Sequence, residues 1–257
     1  MINRSCSLAP SSDLCILTAS QDERKEHVRR TFASISHRYD FLNGLLSLLL
    51  DRCWRRRTAR SLRDIPEGPI LDLCAGTLSM SRELARQAPD RHIYALDFCE
   101  NMLKAGVKKL EDDPYLSRIF PICGDGEAIP AGGNIFSGCT VAFGLRNLVN
   151  RRQGLAEIHR VLRPGGRLLI LEFSRPTNRL FKPFYTYYLH HIMPCIAGVC
   201  AENREAYKYL AQSIALFYEP EELLTMMREA GFTAVERKQL TLGIVSIYRG
   251  IKPPGGR

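Results

Sequence analysis

From Ile70 to Phe173 the chain alternates short apolar runs with segments of helical period, and few architectures accommodate that order. Ile70–Cys74, His92–Leu96, Arg118–Cys123, Cys139–Phe143 and Arg167–Phe173 read as strands. Between them Ser79–Gln87, Glu100–Leu110 and Leu155–Leu162 read as helices, the last stopped by Pro164-Gly165-Gly166. Strands separated by helices return parallel to one another, so the expected fold is α/β: a doubly wound, mostly parallel sheet with helices on both faces. A helix over Glu221–Glu229, closed by Gly231, precedes two more strands, Phe232–Arg237 and Gly243–Arg249. No helix separates that last pair, which predicts an antiparallel hairpin at one edge of a seven-stranded sheet.

The flanks read differently. Residues 1–20 are Ser-rich and aperiodic, which predicts a flexible N-terminal arm ahead of a single domain over 21–257. Within that domain, 21–65 reads as a helical cap. Val28, Phe32 and Ile35 recur at helical spacing, Leu42, Leu45, Leu46, Leu49 and Leu50 form an apolar stripe, and Asp51 reads as an N-cap. Pro66, Gly68 and Pro69 mark its end. A lid insertion over 177–218 follows the fifth strand and carries Phe181, Phe184, Tyr185, Tyr187 and Tyr188. It reads equally as a small helical core and as an apolar wall for a large, greasy substrate.

Composition narrows the class without choosing a partner. The apolar fraction of 45% and charged fraction of 25% are those of an ordinary globular chain. A net charge of +9 is compatible with nucleic acid, an anionic membrane face or an acidic cofactor. Arg52, Arg55, Arg56, Arg57, Arg60 and Arg63 cluster in one segment, for which a solvated helix face is a plainer reading than a phosphate-binding stripe. The nine cysteines form no C-x-x-C pair and no metal-ligand spacing, so they read as reduced thiols and no metal is expected. The first twenty residues lack a signal-peptide pattern, and no apolar run approaches the roughly 18 residues that span a bilayer. The expected location is cytoplasmic.

The chemistry-bearing residues fall at strand ends, where open α/β sheets bind ligands. After the first strand, Gly76 and Thr77 form a turn that lets backbone amides approach a ligand at a helix N-terminus. Asp97 follows that glycine by 97 − 76 = 21 residues, a spacing at which a carboxylate accepts from both hydroxyls of a ribose. Asp125 and Gly126 follow the third strand, where a carboxylate reaches an adenine amino group. The first turn, Cys74-Ala75-Gly76-Thr77-Leu78-Ser79, matches neither the G-x-G-x-x-G dinucleotide fingerprint nor a P-loop. It fits S-adenosylmethionine better, since no pyrophosphate has to be cradled. Phe143-Gly144-Leu145-Arg146 stands where a nucleic-acid methyltransferase would carry Asn/Asp-Pro-Pro-aromatic, which argues against nucleic acid as substrate.

On His37–Asn43, Ala142–Asn147, Arg163–Gly166, Leu171–Pro176, Ala206–Leu210 and Gly243–Val245, the chain resembles the ubiquinone/menaquinone biosynthesis C-methyltransferases. The match runs from about Val28 to Lys252. The resemblance implies a class I, Rossmann-like methyltransferase fold and methyl transfer from S-adenosylmethionine to a ring carbon. It implies a lipophilic polyprenyl quinol as substrate, either demethylmenaquinol or a polyprenyl benzoquinol. Carried over by position, Thr77, Asp97, Asp125 and Gly126 join Gly76 as cofactor contacts. Arg146 is expected to stabilise a phenolate and Asn147 to orient it, with Tyr39 and Asp40 at the second hydroxyl and Asp40 as first choice of base. The tail is expected along Phe41, Leu45 and Tyr185, with peripheral contact to the inner membrane face through the basic arm. Self-association stays open. One departure stands out: Leu78 and Ser79 replace the family's glycine–aspartate pair, which predicts weaker cofactor binding or a reshaped turn. It leaves as alternatives a degenerate cofactor-binding subunit of a quinone-biosynthesis complex or a methyltransferase acting on another small molecule.

Overall fold

The computed structural model describes residues 21–35, 44, 47, 49–174 and 219–255. Two helices, α1 (Gln21–Ile35) and α2 (Leu50–Arg60), precede the sheet. Then come β1 (Ile70–Leu73), α3 (Ser79–Gln87), β2 (Ile93–Asp97), α4 (Glu100–Lys109) and β3 (Ile119–Cys123). Next follow β4 (Phe136–Ala142), α5 (Arg151–Val161), β5 (Leu162–Phe173), α6 (Pro220–Glu229), β6 (Thr233–Leu240) and β7 (Val245–Ile251).

The seven strands lie in the order β3-β2-β1-β4-β5-β7-β6. All neighbours from β3 to β5 pair parallel, while β7 runs antiparallel to both β5 and β6. The terminal hairpin is at the edge, with its second strand inserted inward. Strand order reverses between β1 and β4, so the crevice at their C-terminal ends is the topological switch point.

Burial on both faces explains the continuous apolar runs. Along β1, Ile70 joins a core with Trp54, Leu78, Leu84 and Leu103, whereas Leu71 and Leu73 join Leu155, Ile158 and Tyr248 on the opposite face. Asp72 breaks the run, yet it is fully buried and accepts from Ser81 Oγ at 2.6 Å and Thr140 Oγ1 at 2.8 Å. Burial pushes its carboxyl up to about 6.

Three local expectations are corrected. The segment Arg163–Gly166 does not stop a helix: α5 ends at Val161, and this segment is a bulge inside a β5 that starts at Leu162. Pairing to β4 jumps from Phe136↔Leu162 to Gly138↔Arg167, with Gly165 at φ 78°. Asp51 is not the N-cap of α2; Leu49 holds that place in the left-handed region, and Asp51 sits in the first turn 3.7 Å from Arg55. Leu49 and Leu50 are exposed and do not continue a buried stripe. The expected arm over 1–20 and lid over 177–218 lie outside the described residues.

Candidate active site

Three of the eight non-glycine residues with positive φ among the described residues sit at the switch point. Cys74, at the end of β1, and Phe143, just past β4, have φ of 57° and 60°, and Leu78, at the start of α3, has 61°. Non-glycine residues hold this region only when the surroundings over-determine it, and such residues cluster at functional sites. Gly76 lies between them at φ 54°. Its amide donates to Asp97 Oδ2 at 2.8 Å, which ties the first turn to the end of β2.

Asp97 is 7% exposed, and its Oδ1 accepts from the Cys99 amide at 2.8 Å. Backbone amides thus hold both carboxylate oxygens in place at the end of β2, and a carboxylate so fixed is an acceptor suited to a diol. Burial pushes this carboxyl up to about 6 against the opposing pull of backbone amides from Cys99, Gly76 and Phe98. Thr77 is buried in the same turn, and its carbonyl accepts from Lys109 Nζ at 2.6 Å. Asp125 is half-buried after β3, where its Oδ1 accepts from the Glu127 amide at 2.8 Å. Gly126 is buried beside it. Of the expected cofactor residues, Asp97, Asp125 and Gly126 border one pocket, Gly76 is tied to Asp97, and Thr77 is its neighbour in the first turn.

Lys25 of α1 also enters this cleft, which no sequence pattern indicated. Its Nζ donates to Asp125 Oδ2 at 2.7 Å and pairs with Glu127 at 2.9 Å. Burial works to lower this ammonium, but the two carboxylates outweigh it and hold it above the ordinary lysine value. A small pocket of about 30 Å³ is bordered by Lys25, Cys74, Asp97, Asp125 and Asn147. The Lys25 bridge therefore ties α1 to the loop after β3.

The other half of the rim follows β4 and β5. A 3-10 turn over Leu145–Asn147 carries Arg146 and Asn147. The chain enters it at Gly144, where a Cβ would overlap the Cys74 side chain, so only glycine lets the two strand ends approach so closely. Arg146 is 5% exposed, and its Nη1 donates to Glu172 Oε1 at 2.6 Å. Asn147 is half-buried and borders the cofactor cleft. Beside this pair stands an aromatic trio. Phe143 lies 4.7 Å from Phe173 between ring centroids, and Trp54 is 6.2 and 6.5 Å from the two. Trp54 is fixed by its Nε1 donating to Thr241 Oγ1 at 2.8 Å, and Arg55 lies 5.3 Å over the Phe143 ring. Arg52, Arg56, Arg57 and Arg60 are exposed, so the arginine run is mainly a solvated face and Arg55 its buried exception.

Tyr39 and Asp40, together with Phe41, Leu45 and Tyr185, lie outside the described residues. Glu172 and Trp54 are rim residues that sequence reasoning did not assign. Glu172 sits within a motif quoted for other reasons, and Trp54 is brought in by packing alone. Among the described residues no His/Cys/Asp/Glu cluster of metal-ligating geometry occurs, and no helix is long and apolar enough to cross a membrane.

Comparison with known proteins follows the same lines. A sequence model of the ubiE/COQ5 methyltransferase family matches residues 18–252. The chain is 43% identical over 231 residues to the ubiquinone/menaquinone biosynthesis C-methyltransferase UbiE of Geobacter sulfurreducens, covering 90% of each chain. It is 38% identical over 240 residues to the demethylmenaquinone methyltransferase of Clavibacter sepedonicus, covering 93% of this chain and 96% of that one. In fold it is similar to a SAM-dependent methyltransferase from Thermotoga maritima, with TM-score 0.63, 17% identity and coverage of 88% and 100%. A SAM-dependent methyltransferase from Aquifex aeolicus gives TM-score 0.56 at 16% identity, covering 77% of this chain and 89% of that one.

Proposed function

We propose, from the premise that this chain belongs to the ubiE/COQ5 methyltransferase family, that it C-methylates the ring of a polyprenyl quinol with S-adenosylmethionine as methyl donor. Demethylmenaquinol is the first candidate acceptor and a polyprenyl benzoquinol the second, following the names carried by its relatives. The observation that carries the reading is the juxtaposition at one switch point. Gly76, Asp97 and Asp125 lie at the ends of β1, β2 and β3, and the Arg146–Glu172 pair with the aromatic trio lies at the ends of the adjoining strands β4 and β5.

The cofactor, when bound, supplies an already electrophilic methyl group, so the chain's task is placement and charge control. Asp97 would accept from the ribose hydroxyls and Asp125 from the adenine amino group, with the Gly76–Thr77 turn, its Gly76 amide committed to Asp97, beside them. Holding two reactants in near-attack geometry contributes about 7–11 kcal/mol of barrier lowering. A quinol ring carbon becomes nucleophilic when the adjacent hydroxyl ionises. Arg146 faces the developing phenolate, where a preorganised cation in a water-poor rim acts most strongly. Asn147 orients the same oxygen. Asp40 takes the hydroxyl proton, with Tyr39 at the second hydroxyl. The ring carbon would take the methyl group as the sulfonium–methyl bond breaks, leaving the neutral thioether. The proton on that carbon would pass to water and the ring oxygen would regain the proton held by Asp40, restoring the aromatic quinol. Trp54, Phe143 and Phe173 form an apolar wall for the ring.

The acceptor's tail belongs to a bilayer. Leu49, 60% exposed at the start of α2, and the exposed arginines behind it suit peripheral contact with an anionic membrane face. The test is incubation of the purified chain with S-adenosylmethionine and chemically reduced demethylmenaquinol, followed by mass spectrometry. A product heavier by one methylene is expected. Cofactor binding without product from either quinol would overturn the acceptor assignment; absence of binding would overturn enzymatic function.

A further inference from the structure

We infer that Glu172 is the positioning residue that sets the Arg146 guanidinium for the acceptor; the inference rests on the functional reading above. Glu172 is the next-to-last residue of β5, at the end of the otherwise apolar run Leu168-Leu169-Ile170-Leu171. Strand alternation turns Leu171 and Phe173 toward the Trp54 core and Glu172 to the other face. It is 0% exposed.

A buried carboxylate in a strand of this kind needs a reason. Replacing a buried ion pair with apolar residues is often neutral or stabilising, so stability alone does not explain it. The arrangement does specify geometry. Glu172 Oε1 accepts from Arg146 Nη1 at 2.6 Å and from the Phe173 amide at 3.1 Å, so the carboxylate is pinned to its own strand. The Arg146 Cζ lies 5.7 Å from the Phe173 ring centroid, and the Arg146 carbonyl accepts from Arg151 Nη2 at 2.8 Å. The planar fork is thereby fixed at one nitrogen, on one side by an aromatic ring, and at its own backbone. Glu172 Oε2 is buried without a hydrogen-bond partner, so only part of the carboxylate's capacity serves the fold. A buried polar atom left unsatisfied calls for an explanation, and a role at the site is one.

The test uses the full chain with S-adenosylmethionine and reduced demethylmenaquinol, comparing wild type with E172Q, E172D, R146Q and the E172Q/R146Q double variant. Glutamine keeps the shape and removes the charge. The expected loss in kcat for E172Q is on the order of 10²-fold, the effect of displacing a reacting group by about 1 Å. The Kd for the cofactor stays at the wild-type value, since Glu172 lies on the acceptor side. E172D, which keeps the charge on a shorter arm, recovers part of the rate. The double variant is no slower than R146Q alone, because both changes remove one unit. An E172Q variant with wild-type kcat overturns the inference, as do additive losses in the double variant or an equal fall in cofactor binding. If E172Q does not fold, E172D decides: unaltered kcat overturns the inference, and a reduced kcat with unchanged cofactor Kd supports it. A wild-type chain inactive on both quinols overturns the functional reading itself, a result distinct from loss confined to the variants.

Discussion

At the ends of β1, β2 and β3 the chain presents backbone amides and carboxylates, whereas at the ends of β4 and β5 it presents a paired charge beside three aromatic rings. On the first side the polar groups are set by backbone torsion and backbone donors: Cys74, Gly76 and Leu78 all have positive φ, and Asp97 is held by the amides of Gly76, Phe98 and Cys99. On the second side they are set by side-chain partners: Glu172 holds Arg146, and Thr241 holds Trp54. A nucleoside offers hydroxyls and an amine that fixed acceptors recognise. A quinol on its way to a phenolate offers a growing negative charge and a flat ring, which a cation and an aromatic wall recognise. The difference teaches that binding and chemistry are mechanically separable here, so substitutions on the two sides move different observables.

The largest expected effect breaks the comparison if it fails. R146Q lowers kcat on the order of 10²–10³-fold, in line with loss of one preorganised charge-stabilising group. Calorimetric titration finds its cofactor affinity unchanged. A parallel loss of affinity would merge the two halves into one.

Next in size is D97N, which weakens cofactor binding roughly 10–100-fold, the worth of a charge-assisted hydrogen bond of about 1.5–3 kcal/mol. Its pH dependence sharpens the point. Asp97 has its carboxyl raised to about 6, so it gains a proton and loses acceptor capacity as pH falls through that value. Cofactor affinity of the wild type therefore declines below about pH 6. In D97N the affinity is flat across the same window, as titrations at a series of pH values will show.

Smaller again is L78G. Leu78 is fully buried but held at φ 61°, so the substitution loses core packing and relieves strain. Large-to-small changes cost about 2–5 kcal/mol and a left-handed L-residue about 1–2 kcal/mol, leaving a net destabilisation of about 2 kcal/mol by urea melt. Cofactor affinity does not fall, because the turn keeps the conformation that glycine prefers. A large loss of affinity would show that the leucine itself shapes the pocket. The smallest effect is K25M. It removes the bridge to Asp125 and Glu127, and cofactor affinity rises roughly threefold, the scale of a partly exposed ion pair.

The same contrast governs what was legible in the sequence. Order and type of the sheet elements followed from apolar period, because strands buried on both faces leave continuous runs. The meeting of Gly76 with Asp97 followed from their spacing, since a turn and the next strand end are one crossover apart. The β5 bulge did not: Pro164-Gly165-Gly166 carries ordinary stop signals, and only pairing to β4 and the Gly165 amide donating to Lys252 shows that the strand continues through it. Leu78 announced a departure but not its resolution, in which burial of the side chain holds the backbone in a region leucine otherwise avoids. Lys25 reaches Asp125 across 100 residues, and Glu172 meets Arg146 across 26, distances over which local pattern carries no information. Residues positioned by the backbone were readable; residues positioned by tertiary partners were not.

The most direct test is to follow the methyl group itself. Purified chain is given S-adenosylmethionine carrying a carbon-13 methyl, with reduced demethylmenaquinol, and the product is examined by NMR. The account predicts label in a methyl group bonded to ring carbon, formed by wild type and nearly absent with R146Q. Label in a methoxy group, or label-free quinol from a chain that binds the cofactor, would contradict it.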